Sequence, residues 1–206
     1  MNFSNIILNW YAINGRELPW RQTTDPYAIW LSEVIMQQTK IAQGTAYWER
    51  FIKRWPNVQS LANATEDEVL REWQGLGYYS RARNLHKAAQ QIVDLGYFPQ
   101  TYNELIQLKG IGEYTAAAVY SIAFAGPVAV VDGNVYRVLA RFFGIEIPID
   151  STQGKKIFKA IAQDNLPKNA PAAYNQGIMD FGAMQCTPTL PNCKVCPLIE
   201  YCFAAN

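Results

Sequence analysis

The sequence predicts an all-helical protein, and three observations carry that expectation. Helix-starting signals recur along the chain: Asp25 ahead of Pro26, and two Thr-x-x-Glu capping boxes at Thr65/Glu68 and Thr101/Glu104. Glycine or proline follows the helix-periodic stretches, at Pro56, Gly96, Gly126 and Gly144. No segment sustains period-two alternation, and no Asn-Gly or Asp-Gly turn sits between two β-branched runs.

Each element has its own reason. Asp25 caps a helix over 27–37 that Pro26 opens, because proline at the first helical position lacks only an N–H that would find no partner there. A helix over 41–55 is closed by Pro56, and the Thr65/Glu68 box starts the next. A helix over 80–94 stops at Gly96, where a left-handed residue is expected. Thr101 and Glu104 begin a short helix, 102–107, which runs through Gly110-Ile111-Gly112 into a helix over 113–125 that ends at Gly126. Asp132 starts a helix to about Phe143, stopped by Gly144, and helices over 152–164 and 171–184 complete the set.

Composition narrows the class. Half of the 206 residues are hydrophobic, which suffices for a core burying roughly 70% of the unfolded surface. Charged residues are only 17% and form no like-charge block, so wholesale disorder is excluded. The longest apolar runs, such as 116–119 and 127–131, fall far short of the ~20 residues of a membrane span. The N-terminus has neither a basic region nor a small-residue cleavage site, so it does not read as a signal peptide. A soluble cytoplasmic protein is expected. The net charge of +1 is not the bulk signature of a nucleic-acid binder. Locally, however, 77–87 holds Arg81, Arg83 and Lys87 without an acid. The single histidine, His86, lies in that stretch and reads as a packing or phosphate-facing residue.

All four cysteines, Cys186, Cys193, Cys196 and Cys202, fall near the end of the chain as C-x6-C-x2-C-x5-C. Three chemistries fit: two disulfides, a structural zinc site, or an iron–sulfur cluster held by four thiolates. Only the middle pair has the two-residue gap common in zinc sites, and Pro188, Pro191 and Pro197 keep the segment from being one helix. Either metal would staple a loop too short to build its own core.

The other sharp signal is LKGIGEYTAAAV, where Gly110 and Gly112 allow a tight turn at the start of a helix. Successive backbone N–H groups there, with the positive end of the helix dipole, suit a phosphate oxygen. Such contacts hold nucleic acid without reading its sequence.

Taken together, LKGIGEYTAAAV, then VVDGNVYRVLAR, then the cysteine spacing, resemble the helix-hairpin-helix DNA glycosylases. RELPWRQTTDPYAIWLSEVIMQQT and WQGLGYYSRARNLHKAA are similar to the A/G-specific adenine glycosylases within them. The resemblance implies two helical domains, a six-helix one over 26–130 and one of 1–25 with 131–206, with double-stranded DNA bent into a cleft between them. It also implies a [4Fe-4S] cluster on the four cysteines, a monomer, and a bacterial, nucleoid-associated setting. The Nudix-like module in which this group usually continues, and which helps recognise 8-oxoguanine, is not in the sequence.

The resemblance also implies roles. Breaking the bond between adenine and its sugar needs a proton on the departing base and stabilisation of a cationic sugar, a demand that glycoside hydrolases meet with two carboxyl groups. Glu33 matches the acid that protonates adenine at N7, and its apolar neighbours would raise its pKa. Asp132 matches the carboxylate that stabilises the cation, an N-cap role being compatible with it, and Asn134 matches its companion. Tyr114 stands where bifunctional glycosylases have a lysine; a phenol forms no imine, so a monofunctional enzyme is expected. Arg16, Leu18, Trp20 and Arg21 are expected around the extruded base, and Gln38 and Thr39 on the opposite strand. Leu76 or Tyr78 is expected as a wedge, Tyr78 and Ser80 beside the partner guanine, and Gly110, Gly112 and Thr115 at the phosphates. The expected substrate is adenine opposite 8-oxoguanine or guanine. A T·G-mismatch thymine glycosylase, a non-catalytic DNA-binding relative and a zinc-stapled interaction module are the alternatives.

Overall fold

In the computed structural model, which describes residues 2–206, every helix or strand assigned among the described residues is helical. No helix among them is long and apolar enough to cross a membrane. The chain divides into two compact units, Leu18–Phe124 and a second made of residues up to Glu17 together with Ala125–Asn206.

The continuous unit contains α2 (Pro26–Met36), α3 (Ile41–Arg54), α4 (Val58–Ala62), α5 (Glu66–Trp73), α6 (Ser80–Leu95), α7 (Tyr102–Leu105) and α8 (Glu113–Phe124). Its centre is α2, which packs on α3, α6 and α8. Eight of the eleven α2 residues are buried, so this helix is a core rod rather than an amphipathic surface helix. Its polar groups are tied off locally: Ser32 donates to the Ile29 carbonyl at 2.7 Å. Trp48 of α3 donates its indole N–H to the Ala28 carbonyl at 2.9 Å, and the Tyr27 hydroxyl donates to the Trp55 carbonyl at 2.7 Å. On α8, Ala116, Ala117 and Ala118 are small enough to let its backbone approach α2 closely.

The other unit comprises α1 (Phe3–Asn14), α9 (Gly133–Phe143), α10 (Thr152–Asp164) and α11 (Pro171–Met184), followed by short 3-10 turns through the cysteine segment. Helix α11 packs on α1 and α9. Two elements have no counterpart in the sequence reading. Helix α1 has Asn2 as its N-cap and an apolar stripe at Phe3, Ile6 and Ile7. Helix α4 is a single capped turn.

The sequence reading drew the domain boundaries at 25/26 and 130/131, whereas the structure draws them at 17/18 and 124/125. Core packing explains the first shift, since Leu18 and Trp20 belong to the core around α2 and the Trp20 and Trp48 rings lie 5.8 Å apart. Backbone satisfaction explains the second. The Ala129 N–H donates to Gln163 Oε1 at 3.0 Å and the Val130 N–H to Asn175 Oδ1 at 3.1 Å, both on helices of the other unit. At the end of α8, the left-handed residue is Ala125 (φ 52°), not Gly126.

Both threonine–glutamate capping boxes form. Backbone and side-chain hydrogen bonds from Thr65 hold the Glu68 carboxyl below the usual range, and the Thr101 hydroxyl leads the same effect on Glu104. Both carboxyls hold their charge better folded than unfolded. Their contribution is therefore complete above the ordinary glutamate pKa of about 4.3 and drains away as pH falls through the lowered value. Replacing Thr65 or Thr101 by Ala should lower stability by about 1 kcal/mol near neutral pH. Urea melts from pH 6 to 3 should show each variant's deficit shrinking towards the acid end.

Candidate active site and cysteine pocket

Glu33 is the only charged side chain on α2, half-buried between fully buried Ser32 and buried Val34. Beyond the helix the chain turns sharply at Gln38, which is exposed and left-handed (φ 54°). Thr39 folds back, its N–H donating to the Met36 carbonyl at 3.2 Å and its hydroxyl to the Gln37 carbonyl at 3.3 Å.

At the hairpin, Gly110 is left-handed (φ 77°), and a Cβ there would meet the Asn84 side chain at 2.6 Å. Gly112 has no such requirement: a Cβ would meet nothing within 4 Å, and its backbone is exposed at the start of α8. Leu108 and Ile111 anchor the turn in the core. Thr115 is buried, and its hydroxyl accepts from Gln37 Nε2 at 3.3 Å. Thr115 thus ties α8 to the end of α2 rather than facing a phosphate. Tyr114, beside it in the first turn of α8, is half-buried.

The turn between α5 and α6 separates the two expected wedge residues. Leu76 is buried at 8% exposure in the α2 core, while Tyr78 is 64% exposed with φ 45°. The exposed tip is therefore Tyr78, and Leu76 is removed from the wedge role because it anchors the turn. Ser80 is exposed as the first residue of α6. The basic stretch is largely engaged within the protein. Arg83 pairs with Glu66 at 3.3 Å, Arg81 turns inward onto backbone carbonyls, and His86 is buried.

In the other unit, Asp132 caps α9, accepting the Val135 N–H at 2.8 Å on one carboxylate oxygen and the Asn134 amide at 2.8 Å on the other. The Asn134 carbonyl oxygen accepts from Arg137 at 2.8 Å, and the Arg137 Nε donates to the Cys186 carbonyl at 2.8 Å. One hydrogen-bonded chain thus runs from the Asp132 carboxylate to the first cysteine. Arg16 packs differently from expectation. Its backbone N–H and guanidinium both donate to the Asp180 carboxylate, whose side chain is fully buried on α11. Leu18 and Trp20 are core residues, and Arg21 is half-buried at the end of a 3-10 turn.

The four cysteines are free thiols, which sets the disulfide reading aside, and all four line one cavity of about 170 Å³. Burial pushes the Cys196 and Cys202 thiols up, and the other cysteines push them further, as expected of sulfurs gathered together. Among the described residues no group of three or more such side chains is arranged to hold a single metal ion. Four soft thiol donors lining one cavity are a donor set open to a structural zinc or an iron–sulfur cluster. Arg141 closes one wall, donating to Cys186 Sγ at 3.4 Å and to the carbonyls of Thr187 at 2.7 Å and Pro188 at 2.9 Å.

A family model described as "HhH-GPD superfamily base excision DNA repair protein" matches residues 31–166. The chain belongs to this superfamily. The matched stretch includes Glu33, the glycine hairpin, Asp132 and Asn134, while the cysteines lie beyond it. The chain is 40% identical over 205 residues to an adenine DNA glycosylase of Buchnera aphidicola, covering 98% of this chain and 59% of that protein. It is likewise 40% identical over 213 residues to the human adenine DNA glycosylase, covering 98% and 39%. The chain thus spans between about two fifths and three fifths of the length of these relatives. A solved thermostable thymine-DNA glycosylase superposes with a TM-score of 0.91 at 27% identity, covering 98% of this chain and 94% of that one. A non-covalent endonuclease III–DNA complex shares the fold, with a TM-score of 0.81 at 23% identity over 98% of this chain and 92% of that one.

Sequence reasoning passed over Arg137, Arg141 and Asp180. For the two arginines a signal existed: their i, i+4 spacing in YRVLAR puts both on one face of α9. Asp180 gave none, because its partner is 164 residues away. Asp180→Ala should remove the carboxylate to which the Arg16 backbone and guanidinium donate and cost about 3 kcal/mol, read as a lowered urea midpoint.

Proposed function

We propose that the chain is a monofunctional DNA glycosylase that removes adenine opposite guanine or 8-oxoguanine from duplex DNA. The observation that carries this reading is the Asp132 carboxylate, which is fixed at both oxygens, one on the α9 backbone and one on Asn134. A carboxylate so held cannot swing away as positive charge grows on a sugar beside it, and preorganised charge of this kind is a large catalytic term. The likeness to adenine glycosylases over 98% of the chain supplies the base, and it exceeds in identity the likeness to the thymine enzyme.

In this reading the target nucleotide leaves the stack, because the scissile bond is inaccessible inside a duplex. Glu33 gives its proton to adenine N7 as the C1′–N9 bond breaks, so the base departs neutral. Asp132 stabilises the oxocarbenium ion until water adds at C1′, and the water's proton returns to a carboxylate. The exposed Tyr78 enters the stack, and Gln38, Thr39 and Ser80 meet the strand opposite. The exposed backbone at Gly110 and Gly112 takes a phosphate. Tyr114 offers no amine, so the abasic product is released uncut. The four cysteines would hold a [4Fe-4S] cluster, which would staple the C-terminal segment.

Single-turnover assays on duplexes with A opposite 8-oxoguanine, A·G or T·G, each read with and without alkali, test the reading. Adenine release with alkali-dependent cleavage is expected, and thymine release would overturn the substrate assignment. Glu33→Gln should lower the release rate by about a thousandfold with duplex affinity retained. Tyr114→Lys should produce some strand cleavage without alkali. Cys193→Ser should give protein lacking the brown colour and the stoichiometric iron and sulfide expected of the unsubstituted chain.

A further inference from the structure

Arg81 occupies a position that its own helix disfavours. It is the second residue of α6, where a cation faces the positive end of that helix's dipole. No carboxylate among the described residues pairs with it, and burial pushes its guanidinium below the usual arginine range. The compensation comes from elsewhere. Its Nη1 is shared among the carbonyls of Val34 at 3.2 Å, Ile35 at 3.1 Å and Gln37, with the Thr39 hydroxyl at 3.5 Å. The first three are carbonyls at the C-terminal end of α2, which lack helical partners and carry the negative end of the dipole. Its Nη2 donates to the Leu76 carbonyl at 3.3 Å, and the guanidinium lies over the Trp73 ring at 5.1 Å.

One planar cation therefore fastens two loops that follow different helices. Each loop contains a non-glycine residue in the left-handed region, Gln38 (φ 54°) and Tyr78 (φ 45°). Such residues are strained and persist only where surrounding contacts over-determine them. We propose that Arg81 is a positioning residue that locks the 37–39 loop and the 76–78 turn in a single register, so that Gln38 and Tyr78 meet the strand opposite the extruded base together. The proposal rests on the glycosylase reading for its consequence, and on Arg81 geometry alone for the lock.

Lysine cannot reproduce the lock, because it carries one point charge where arginine presents a rigid fork. The test compares the parent chain, Arg81→Lys and Arg81→Ala, each with and without Gln38→Ala. In amide hydrogen exchange on the free proteins, residues 38–39 and 76–79 should lose protection together, with α8 unchanged. In duplex binding, preference for adenine opposite 8-oxoguanine over adenine opposite cytosine should fall about tenfold, while the release rate at saturating protein stays within about threefold. Gln38→Ala should reduce that preference in the parent and add nothing in the Arg81 variants, the signature of one coupled unit. Loops that loosen independently, or a Gln38 effect that survives Arg81 replacement in full, would overturn the proposal. If Arg81→Ala does not fold, Arg81→Lys decides each arm alone. A parent chain that releases no adenine sinks the glycosylase reading, yet the exchange arm still decides the lock.

Discussion

Burial of α2 on nearly every face is the constraint on which the continuous unit depends. A helix that presents Trp30, Leu31 and Ile35 to a core has no polar face for its ends to rest on, so every terminal backbone group needs a supplied partner. Asp25 supplies the start, and an arginine from α6 supplies the finish. Tyr27 and Trp48 spend their polar atoms on backbone carbonyls rather than on solvent. Against that background a single carboxyl, Glu33, is held half out of water by neighbours that cannot move. A surface glutamate would carry no such restriction.

The two candidate carboxyls are made different by backbone position rather than by residue type. Glu33 lies in the last turns of α2, half-buried between buried Ser32 and Val34. Asp132 lies before the first turn of α9, where it accepts the Val135 N–H on one oxygen and the Asn134 side-chain amide on the other. A helix end thus sets what a carboxyl meets through the backbone groups it leaves without helical partners. Arginines extend the same logic. Arg137 and Arg141 satisfy carbonyls of the cysteine segment as Arg81 does those of α2, so cations that raise the formal charge act as internal caps. That is why a net charge of +1 says little about which surface meets an anion.

Most helices were legible because their signals are local. Asp25-Pro26, the two capping boxes, Gly96 and Gly144 act within one turn, and the helices begin and end within a residue or two of them. The boundary between units was not legible to the residue, since Trp20 joins its core through Trp48 and Val130 joins its unit through Asn175. The site was legible as a set of chemistry-bearing residues and misleading as a set of exposures. A leucine bracketed by glycines reads as a tip, but Leu76 turns inward because the chain reverses on the Trp73 carbonyl. Arg16 reads as a base contact until Asp180, distant in sequence, claims it.

Left-handed backbone at non-glycine residues separates what strain does here from what it does not. Gln38, Tyr78, Ala125 and Leu190 all adopt it, and glycine would adopt it at no steric cost. Ala125 makes strain alone a poor marker: its methyl group carries no chemistry, and the residue merely ends α8. Gln38 and Tyr78 differ in two ways at once. Both project side chains able to reach another molecule, and both belong to loops fastened by one half-buried cation. A glycine in either place would relax the turn and lose the group that the turn presents. Retaining a side chain where the backbone resists it makes sense when the side chain's position is what the turn is for, and Arg81 is what makes that position affordable.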